Sequence, residues 1–246
     1  MLRPGRDDRR HRPQGPAQGH FGVRRDLGGR GEDSITGGGG DDFICGGHDF
    51  GDTETLSGGD GNDKIHGGRG VEDIHGGLGD DVIRAGCGDC ESPKEDHSSL
   101  FGGPGNDRSE AGYNTFVDFG NGATAIGGDG NDFISDIDGG ASMVGGPGDD
   151  TMRGEHPVED LPQEACCSRV DYSTVSGPVD VDLIAGIGTG DGIDTLQHIW
   201  RVTGSAFDDR TRADDRDQVL GGGAGNDDLT GHGGRHACRR RGRRHA

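Results

Sequence analysis

Residues 58–84 read GGDGNDKIH GGRGVEDIH GGLGDDVIR, which is one nine-residue pattern written three times without a break. Counted from its first glycine, each unit has glycine at positions one and two and isoleucine at position eight. The first and third units also carry an aspartate at position six, Asp63 and Asp81. A strict period of this kind indicates units that stack on one another, because a single unit cannot enclose a hydrophobic core of its own. The sequence therefore predicts a repeat architecture.

The composition of the chain is far from that of an ordinary globular domain. It has 246 residues, of which 54 are Gly and only 27% are hydrophobic, and its formal net charge is −20. Between residues 28 and 234, 42 acidic residues stand against 12 basic ones. Such a surface repels nucleic acid and anionic membranes and attracts cations, and no apolar run reaches the roughly 18 residues of a membrane span. We therefore expect cations as partners, no nucleic acid and no membrane insertion.

The pattern G-G-x-G-x-D-x-U-x of these units resembles the RTX (hemolysin-type) calcium-binding repeat. The resemblance covers about residues 28–154 and again about 204–234. It implies an all-β fold, a parallel β-roll (β-solenoid) of nonapeptide repeats, with several Ca²⁺ ions between its coils. It also implies an extracellular, secreted bacterial protein, although the chain shows neither an effector domain nor the acidic or hydroxyl-rich tail of many family members.

In such a roll two nonapeptides form one coil, so alternate units lie on opposite edges. Sorted in this way, one edge keeps aspartate at position six throughout, whereas the opposite edge has Asp33 and then Glu72, Cys90 and Ala141. Every insertion follows a unit of the opposite edge. We therefore predict one intact ligand edge and one decorated edge. The predicted metal ligands are Asp33, Asp42, Asp63, Asp81, Asp107, Asp132, Asp150, Asp209 and Asp227.

The residue types at each position fit calcium chemistry. Glycines at positions one, two and four allow backbone turns with positive φ, and Asp or Asn at position five tolerates left-handed geometry. Position six supplies carboxylate oxygens, which together with carbonyl oxygens are the ligands of Ca²⁺. Stacked aspartates about 4.8 Å apart repel one another by about 3.5 kcal/mol at an effective dielectric near 20. Position eight (Ile35, Ile65 and their equivalents) is expected to form a single hydrophobic row, so we expect folding to depend on the metal.

The domain organisation follows from the phase of the repeat. We expect an RTX β-roll over 28–154, a non-repeat β-rich linker over 155–203 and a second repeat block over 204–234. In the linker, the alternation of Val179, Val181 and Leu183 with aspartates predicts a half-buried strand, and Trp200 is expected to cap an end of the core. The arginine-rich ends, 1–27 and 235–246, are interpreted either as disordered basic tails or as products of a misread frame or start site.

The functional prediction is a calcium-binding module that folds on Ca²⁺ and is not an enzyme. The chain contains neither HExxH nor GxSxG, the signatures of zinc proteases and α/β-hydrolases. Two alternatives remain open: a fragment of a secreted protease or lipase without its catalytic domain, or a surface adhesion protein with a cell-surface or glycan partner. The cysteines near the insertions admit disulfides, and Cys87, Cys90 and His97 admit a zinc site.

Overall fold

A computed structural model describes residues 25–27, 32–85, 98–111, 123–136, 140–154, 168–214, 216 and 218–231. These residues form nineteen β-strands and no helix. The described ranges therefore contain no segment that could cross a bilayer as a helix. The strands are β1 (Arg25–Leu27), β2 (Ser34–Gly39), β3 (Phe43–Asp60), β4 (Lys64–Leu78), β5 (Val82–Arg84), β6 (Ser99–Pro104), β7 (Arg108–Ala111), β8 (Thr124–Asp129), β9 (Phe133–Asp136), β10 (Ser142–Val144), β11 (Thr151–Arg153), β12 (Arg169–Asp171), β13 (Asp180–Asp182), β14 (Ile187–Thr189), β15 (Ile193–Gln197), β16 (Arg201–Thr203), β17 (Arg210–Arg212), β18 (Val219–Gly221) and β19 (Asp228–Thr230).

The strands stack into two parallel ladders that form the two sides of a roll. The first ladder runs through β1, the starts of β3 and β4, β5, β7, β9, β11 and β15. The second runs through β2, the ends of β3 and β4, β6, β8, β10, β12, β16 and β18. Because β3 and β4 each pass from one ladder to the other, one coil contains one strand of each. The predicted all-β parallel roll is confirmed.

The register shows that one coil holds two nonapeptides. Ile65 pairs with Ile83, and these two residues are two nine-residue units apart in sequence. Several other coils are longer, and up to β11 their extra residues lie between a strand of the first ladder and the next strand of the second. One such irregularity is described inside β3, where the register shifts between His48 and Thr53. Up to β11 the insertions therefore leave the first ladder and the turn before it undisturbed, whereas β13 and β14 come between β12 of the second ladder and β15 of the first.

The core consists of two facing rows of side chains rather than the single row expected from position eight. The first ladder contributes Ile44, Ile65, Ile83, Ile134 and Met152, all at most 2% exposed. The second ladder contributes Ile35, Leu56, Ile74, Leu100, Met143, Val170, Val202 and Leu220. The prediction was wrong because consecutive units place their eighth residues on opposite walls, so that the two rows meet between the ladders.

Residues 168–203 extend both ladders. β12 pairs with β10 and β16, and β15 pairs with β11, so this segment stacks directly on the preceding coils. β14 lies antiparallel between β15 and β13, and β13 then pairs in parallel with β17. Val181 is fully buried in β13, as its alternation predicted. The division of 155–203 from its neighbours as a linker stays a prediction about sequence organisation.

The structure differs from two local expectations, one about the end of the basic segment 1–27 and one about Trp200. Arg25–Leu27 pair with Phe43–Cys45 as β1, so these last three residues of the basic segment 1–27 belong to the sheet. Trp200 does not cap an end of the core. It is buried inside the stack, where its backbone bonds to Ser168 on one side and Val219 on the other. Residues 1–24 and 232–246, and Cys87, Cys90, His97, Cys166, Cys167 and Cys238, lie outside the described residues.

Candidate metal centre

Six predicted ligands form one continuous stack in the turn before the first ladder, which we call the ligand ladder. Their side chains are between 1% and 3% exposed. In each pair of neighbouring coils, Oδ1 of the later aspartate accepts the backbone N–H of the earlier one. Asp63 N–H thus donates to Asp81 Oδ1 over 2.8 Å, and Asp107 N–H donates to Asp132 Oδ1 over 2.8 Å. The full set is Asp42, Asp63, Asp81, Asp107, Asp132 and Asp150.

At five rungs of this ladder the second carboxylate oxygen has no partner among the described residues. Oδ2 is buried and accepts no hydrogen bond at Asp63, Asp81, Asp107, Asp132 and Asp150. An unsatisfied buried polar atom costs about 1–3 kcal/mol, and more when it carries charge. Five such atoms in a row are an arrangement that a bound cation would satisfy.

The first glycine of each unit explains how room for a cation arises. A Cβ atom placed on Gly37 would lie 2.5 Å from Asp42 Oδ2 and 2.6 Å from the carbonyl oxygen of Gly58 in the next coil. The same convergence of Oδ2 and a glycine carbonyl recurs at Gly58, Gly76, Gly102 and Gly127. Ca²⁺ binds carboxylate and carbonyl oxygens at about 2.3–2.6 Å. The missing side chain therefore leaves a space lined by oxygen atoms of the type that this ion takes.

Backbone carbonyls must supply a large part of any coordination shell at this ladder. Within the described residues, no three side chains of the His, Cys, Asp and Glu types converge on one point. Each coil supplies one position-six carboxylate, and Gly76, Gly102, Gly127 and Gly145 place carbonyl oxygens beside Oδ2 of the preceding rung. Such an oxygen-only set suits a hard cation and does not suit zinc.

The electrostatics of the ladder oppose its ionisation. Burial raises the pKa of Asp81 and Asp132 to about 6, and that of Asp107 and Asp150 to about 7. The backbone N–H from the neighbouring coil acts in the opposite direction, whereas nearby carboxylates raise the pKa further. The pKa of Asp63 is raised for the same first reason. Because these shifts measure how poorly the protein alone solvates the charges, a divalent cation at Oδ2 would offset a large penalty.

The first glycine and the position-five residues have different roles from those predicted, whereas the glycines at positions two and four have the predicted one. Positive φ angles occur at positions two and four, such as Gly59 and Gly61, but not at the first glycine, which is required for space. His198 is the only described non-glycine residue with positive φ, so position five is not left-handed. Its Asp and Asn side chains instead accept backbone N–H groups from the following coil over 2.7–2.9 Å. The donors are Asn62, Asp80, Asn106, Asn131, Asp149, Ile193 and Asn226.

Asp33 lies on the opposite edge, away from the ligand ladder. It precedes β2 and stacks through its backbone carbonyl on Thr55. The equivalent residues of the next coils are Glu54, Glu72 and Ser98, all at most 1% exposed, and Ser98 Oγ donates to Glu72 Oε2 over 2.5 Å. Glu54 was not predicted, because the insertion after Gly46 moves it out of phase. Ser98, and not Cys90, precedes the following strand for the same reason.

Asp194 extends the ligand ladder by one rung that the sequence reading missed. Asp150 N–H donates to Asp194 Oδ1 over 3.1 Å, and β15 follows directly. Residues 189–197 read TGDGIDTLQ, which keeps Gly, Gly, Asp and Leu at positions two, four, six and eight and replaces only the first glycine by Thr189. That signal was present in a segment assigned as non-repeat.

Asp209 and Asp227 form a separate short stack on the far side of β14. Val179 N–H donates to Asp209 Oδ1, and Asp209 N–H donates to Asp227 Oδ1 over 3.1 Å. Asp209 differs from the ligand ladder at its second oxygen, because Oδ2 accepts the N–H of Ser205 over 2.6 Å. The structure thus brings six of the nine predicted ligands together and places Asp33, Asp209 and Asp227 elsewhere.

Comparison with known protein families agrees with this geometry. Residues 27–47 and 48–83 match the RTX calcium-binding nonapeptide repeat, with four copies. No curated protein matches the chain. The matched segment contains the first three rungs of the ligand ladder, and RTX repeats of this type bind several Ca²⁺ ions.

Proposed function

We propose, from the RTX calcium-binding repeats of residues 27–83, that the roll is a secreted, non-catalytic module that folds when Ca²⁺ binds along the ligand ladder. The observation that carries the proposal is the row of five buried Oδ2 atoms that have no partner in the described part of the chain. We infer that Asp42, Asp63, Asp81, Asp107, Asp132 and Asp150 hold the ions together with glycine carbonyls of adjacent coils. Calcium would supply the positive charge that these turns lack.

Coupling of folding to calcium follows from the small apolar core and the large negative charge. The two inward rows contain mostly one aliphatic side chain per strand, and the rows are interrupted by Ser109 and Ala125. Such a core has little apolar surface to offset the conformational entropy of the chain. The buried carboxylates add a further penalty in the absence of metal. Binding of ions to the folded state alone would then shift the equilibrium toward folding.

Secretion and the lack of catalysis rest on separate arguments. Extracellular calcium modules work at roughly 10⁻⁴–10⁻³ M Ca²⁺, which would leave this chain unfolded during export and folded outside. The carboxylates of the ladder are at most 3% exposed, so a substrate cannot reach them without opening the coil. These features support a structural role for the metal rather than a catalytic one.

A calcium titration followed by far-UV circular dichroism tests the proposal. We expect a transition from coil to β-structure at submillimolar to millimolar Ca²⁺, and no such transition with Mg²⁺. The double variant Asp63→Ala/Asp132→Ala should lose it. Asp60→Ala/Asp129→Ala removes two exposed carboxylates from the same two units and serves as the matched control. If both double variants respond as the unmodified chain does, the ligand ladder does not bind calcium.

A further inference from the structure

Two rungs of the aspartate stacks have their second carboxylate oxygen occupied by the protein itself. At Asp194, Oδ1 accepts Asp150 N–H as in the five rungs before it, but Oδ2 accepts the phenol hydroxyl of Tyr172 over 2.8 Å. At Asp209, Oδ2 accepts Ser205 N–H over 2.6 Å, and Oδ1 accepts Ser205 Oγ over 2.6 Å. These are the positions at which Asp63 to Asp150 have no donor.

Tyr172 is fixed as a donor to Asp194. Its side chain is 4% exposed, and burial together with the adjacent carboxylate raises the pKa of its hydroxyl above the usual value. The hydroxyl lies against the backbone of Gly188 in the antiparallel strand β14, where a Cβ atom would collide with it. Gly188 therefore makes room for the tyrosine hydroxyl, much as the first glycine of each unit leaves room beside Oδ2.

The residue at position two supplies the donors within the Asp209 turn: its backbone N–H bonds to Oδ2 and, because it is serine, its hydroxyl bonds to Oδ1. The unit that begins at Gly204 reads GSAFDDRTR, so Ser205 replaces the second glycine of the pattern. Its hydroxyl and its N–H both reach the carboxylate of Asp209, and the hydroxyl also accepts Phe207 N–H over 3.1 Å. Both oxygens of Asp209 thus have donors within its own turn.

We propose that Tyr172 and Ser205 close the Asp194 and Asp209 rungs to calcium, so that the run of bound ions ends at Asp150 and the coils around β14 are held by hydrogen bonds instead. This inference rests on the proposed function. It removes Asp209 from the predicted ligands and keeps Asp194 as a structural rung. Tyr172 and Ser205 are thereby specificity-determining residues, since they decide which carboxylates are available to the metal.

The test compares calcium binding to three conservative variants of the full chain by isothermal titration calorimetry. Asp132→Asn removes a ligand charge and should lower affinity about tenfold or more at its rung, or reduce the number of bound ions. Asp194→Asn and Asp209→Asn should leave the number of ions and the affinity within about twofold of the unmodified chain, since charge at a closed rung serves no ion. A loss in Asp194→Asn or Asp209→Asn equal to that in Asp132→Asn would overturn the inference.

Failure of the proposed function gives a different result, because the unmodified chain and Asp132→Asn would then both bind no calcium. If Asp194→Asn does not fold even in calcium, Tyr172→Phe decides the matter while keeping the carboxylate. It should bind one more calcium ion than the unmodified chain, because Asp194 Oδ2 then lacks the hydroxyl donor that closes it. It should also need more trimethylamine oxide to fold in chelator, since a buried donor is lost. An unchanged number of ions would show that the hydroxyl does not close the rung, and loss of an ion would show that it supports a metal site; either result would overturn the inference.

Discussion

Asp107→Asn is expected to have opposite effects in the absence and presence of calcium. Asn keeps the acceptor for Asp81 N–H, which now bonds to Oδ1 over 2.8 Å. It also replaces Oδ2, which together with the carbonyl oxygen of Gly127 lines the space at Gly102, by an NH₂ donor. The substitution thus removes a buried charge while preserving the shape and the hydrogen bond of the rung.

The magnitude in the metal-free state follows from the pKa of Asp107. Burial raises it from 3.8 to about 7, with Asp132 and Asp81 contributing further. A rise of about three units corresponds to roughly 4 kcal/mol of unfavourable free energy at pH 8, as an upper value. Asn avoids this penalty, so the metal-free roll should gain between about 1 and 4 kcal/mol. In saturating calcium the same change removes a ligand charge, and the roll should lose stability.

Two titrations measure the change in stability caused by Asp107→Asn, one without calcium and one with it. In chelator at pH 8, trimethylamine oxide favours compact states, and Asp107→Asn should fold at a lower concentration of it than the unmodified chain. In saturating Ca²⁺, urea should unfold the variant at a lower midpoint. Asp129→Asn, which removes an exposed charge near the same ladder, is the control and should change both midpoints little. Destabilisation by Asp107→Asn under both conditions would refute the reasoning, because the carboxylate would then stabilise the roll without metal.

Three further predictions concern the same turns. Gly102→Ala should lower the free energy of unfolding, measured with urea in Ca²⁺, by about 1–3 kcal/mol, because its Cβ would overlap Asp107 Oδ2 and the Gly127 carbonyl oxygen. Gly177→Ala is the control and should be neutral, since nothing lies within 4 Å of the added Cβ. Equal effects of the two substitutions would contradict the steric argument. In metal-free buffer, β-structure measured by circular dichroism should increase as pH falls from 8 to 5. The folded-state pKa values of Asp81 and Asp107 are about 6 and about 7, which is above the unfolded value of 3.8. The contribution of these groups to stability is therefore complete below pH 3.8 and is lost as the pH rises through 6 to 7. A loss of β-structure at pH 5 would contradict this prediction. Asn131→Ala removes the acceptor of Asp149 N–H and should lower the free energy of unfolding by about 1 kcal/mol. The number of calcium ions bound in calorimetry should not change, and loss of an ion would show that position five is part of the metal site.

The sequence predicted those features that depend on spacing alone. Asp63 and Asp81 stand 18 residues apart, and this interval fixes both the coil and the edge on which they meet. Alternation within one strand predicted the burial of Val181 in the same way. Wherever the chain keeps its period, residue number determines position in space.

The missed features depend on contacts between coils or on a shift of phase. Glu54 reaches the opposite edge because β3 absorbs extra residues, and counting from Gly46 does not show where the register resumes. The bond from Asn62 N–H to Asp41 Oδ1 joins residues 21 apart, so a local argument about turn propensity gave position five the wrong role. The donors to Asp194 and Asp209 come from Tyr172 and Ser205, and only the folded backbone brings that tyrosine to its rung.

The hydrogen bonds made at positions five and six of the turn run in opposite directions along the roll, and this bears on how the length of the first ladder is set. In each coil, position six donates its N–H to the next coil, whereas the side chain of position five accepts an N–H from that coil. The last coil of the ladder therefore presents a donor and an acceptor that one further coil could pair. Ile193 and Asp194 satisfy both demands of the Asp149–Asp150 turn. Ile193 has no side-chain acceptor to offer in turn, and β14 beside them runs antiparallel. The first ladder of parallel strands therefore ends at this turn, whereas parallel pairing resumes beyond β14 in β13, β17 and β19.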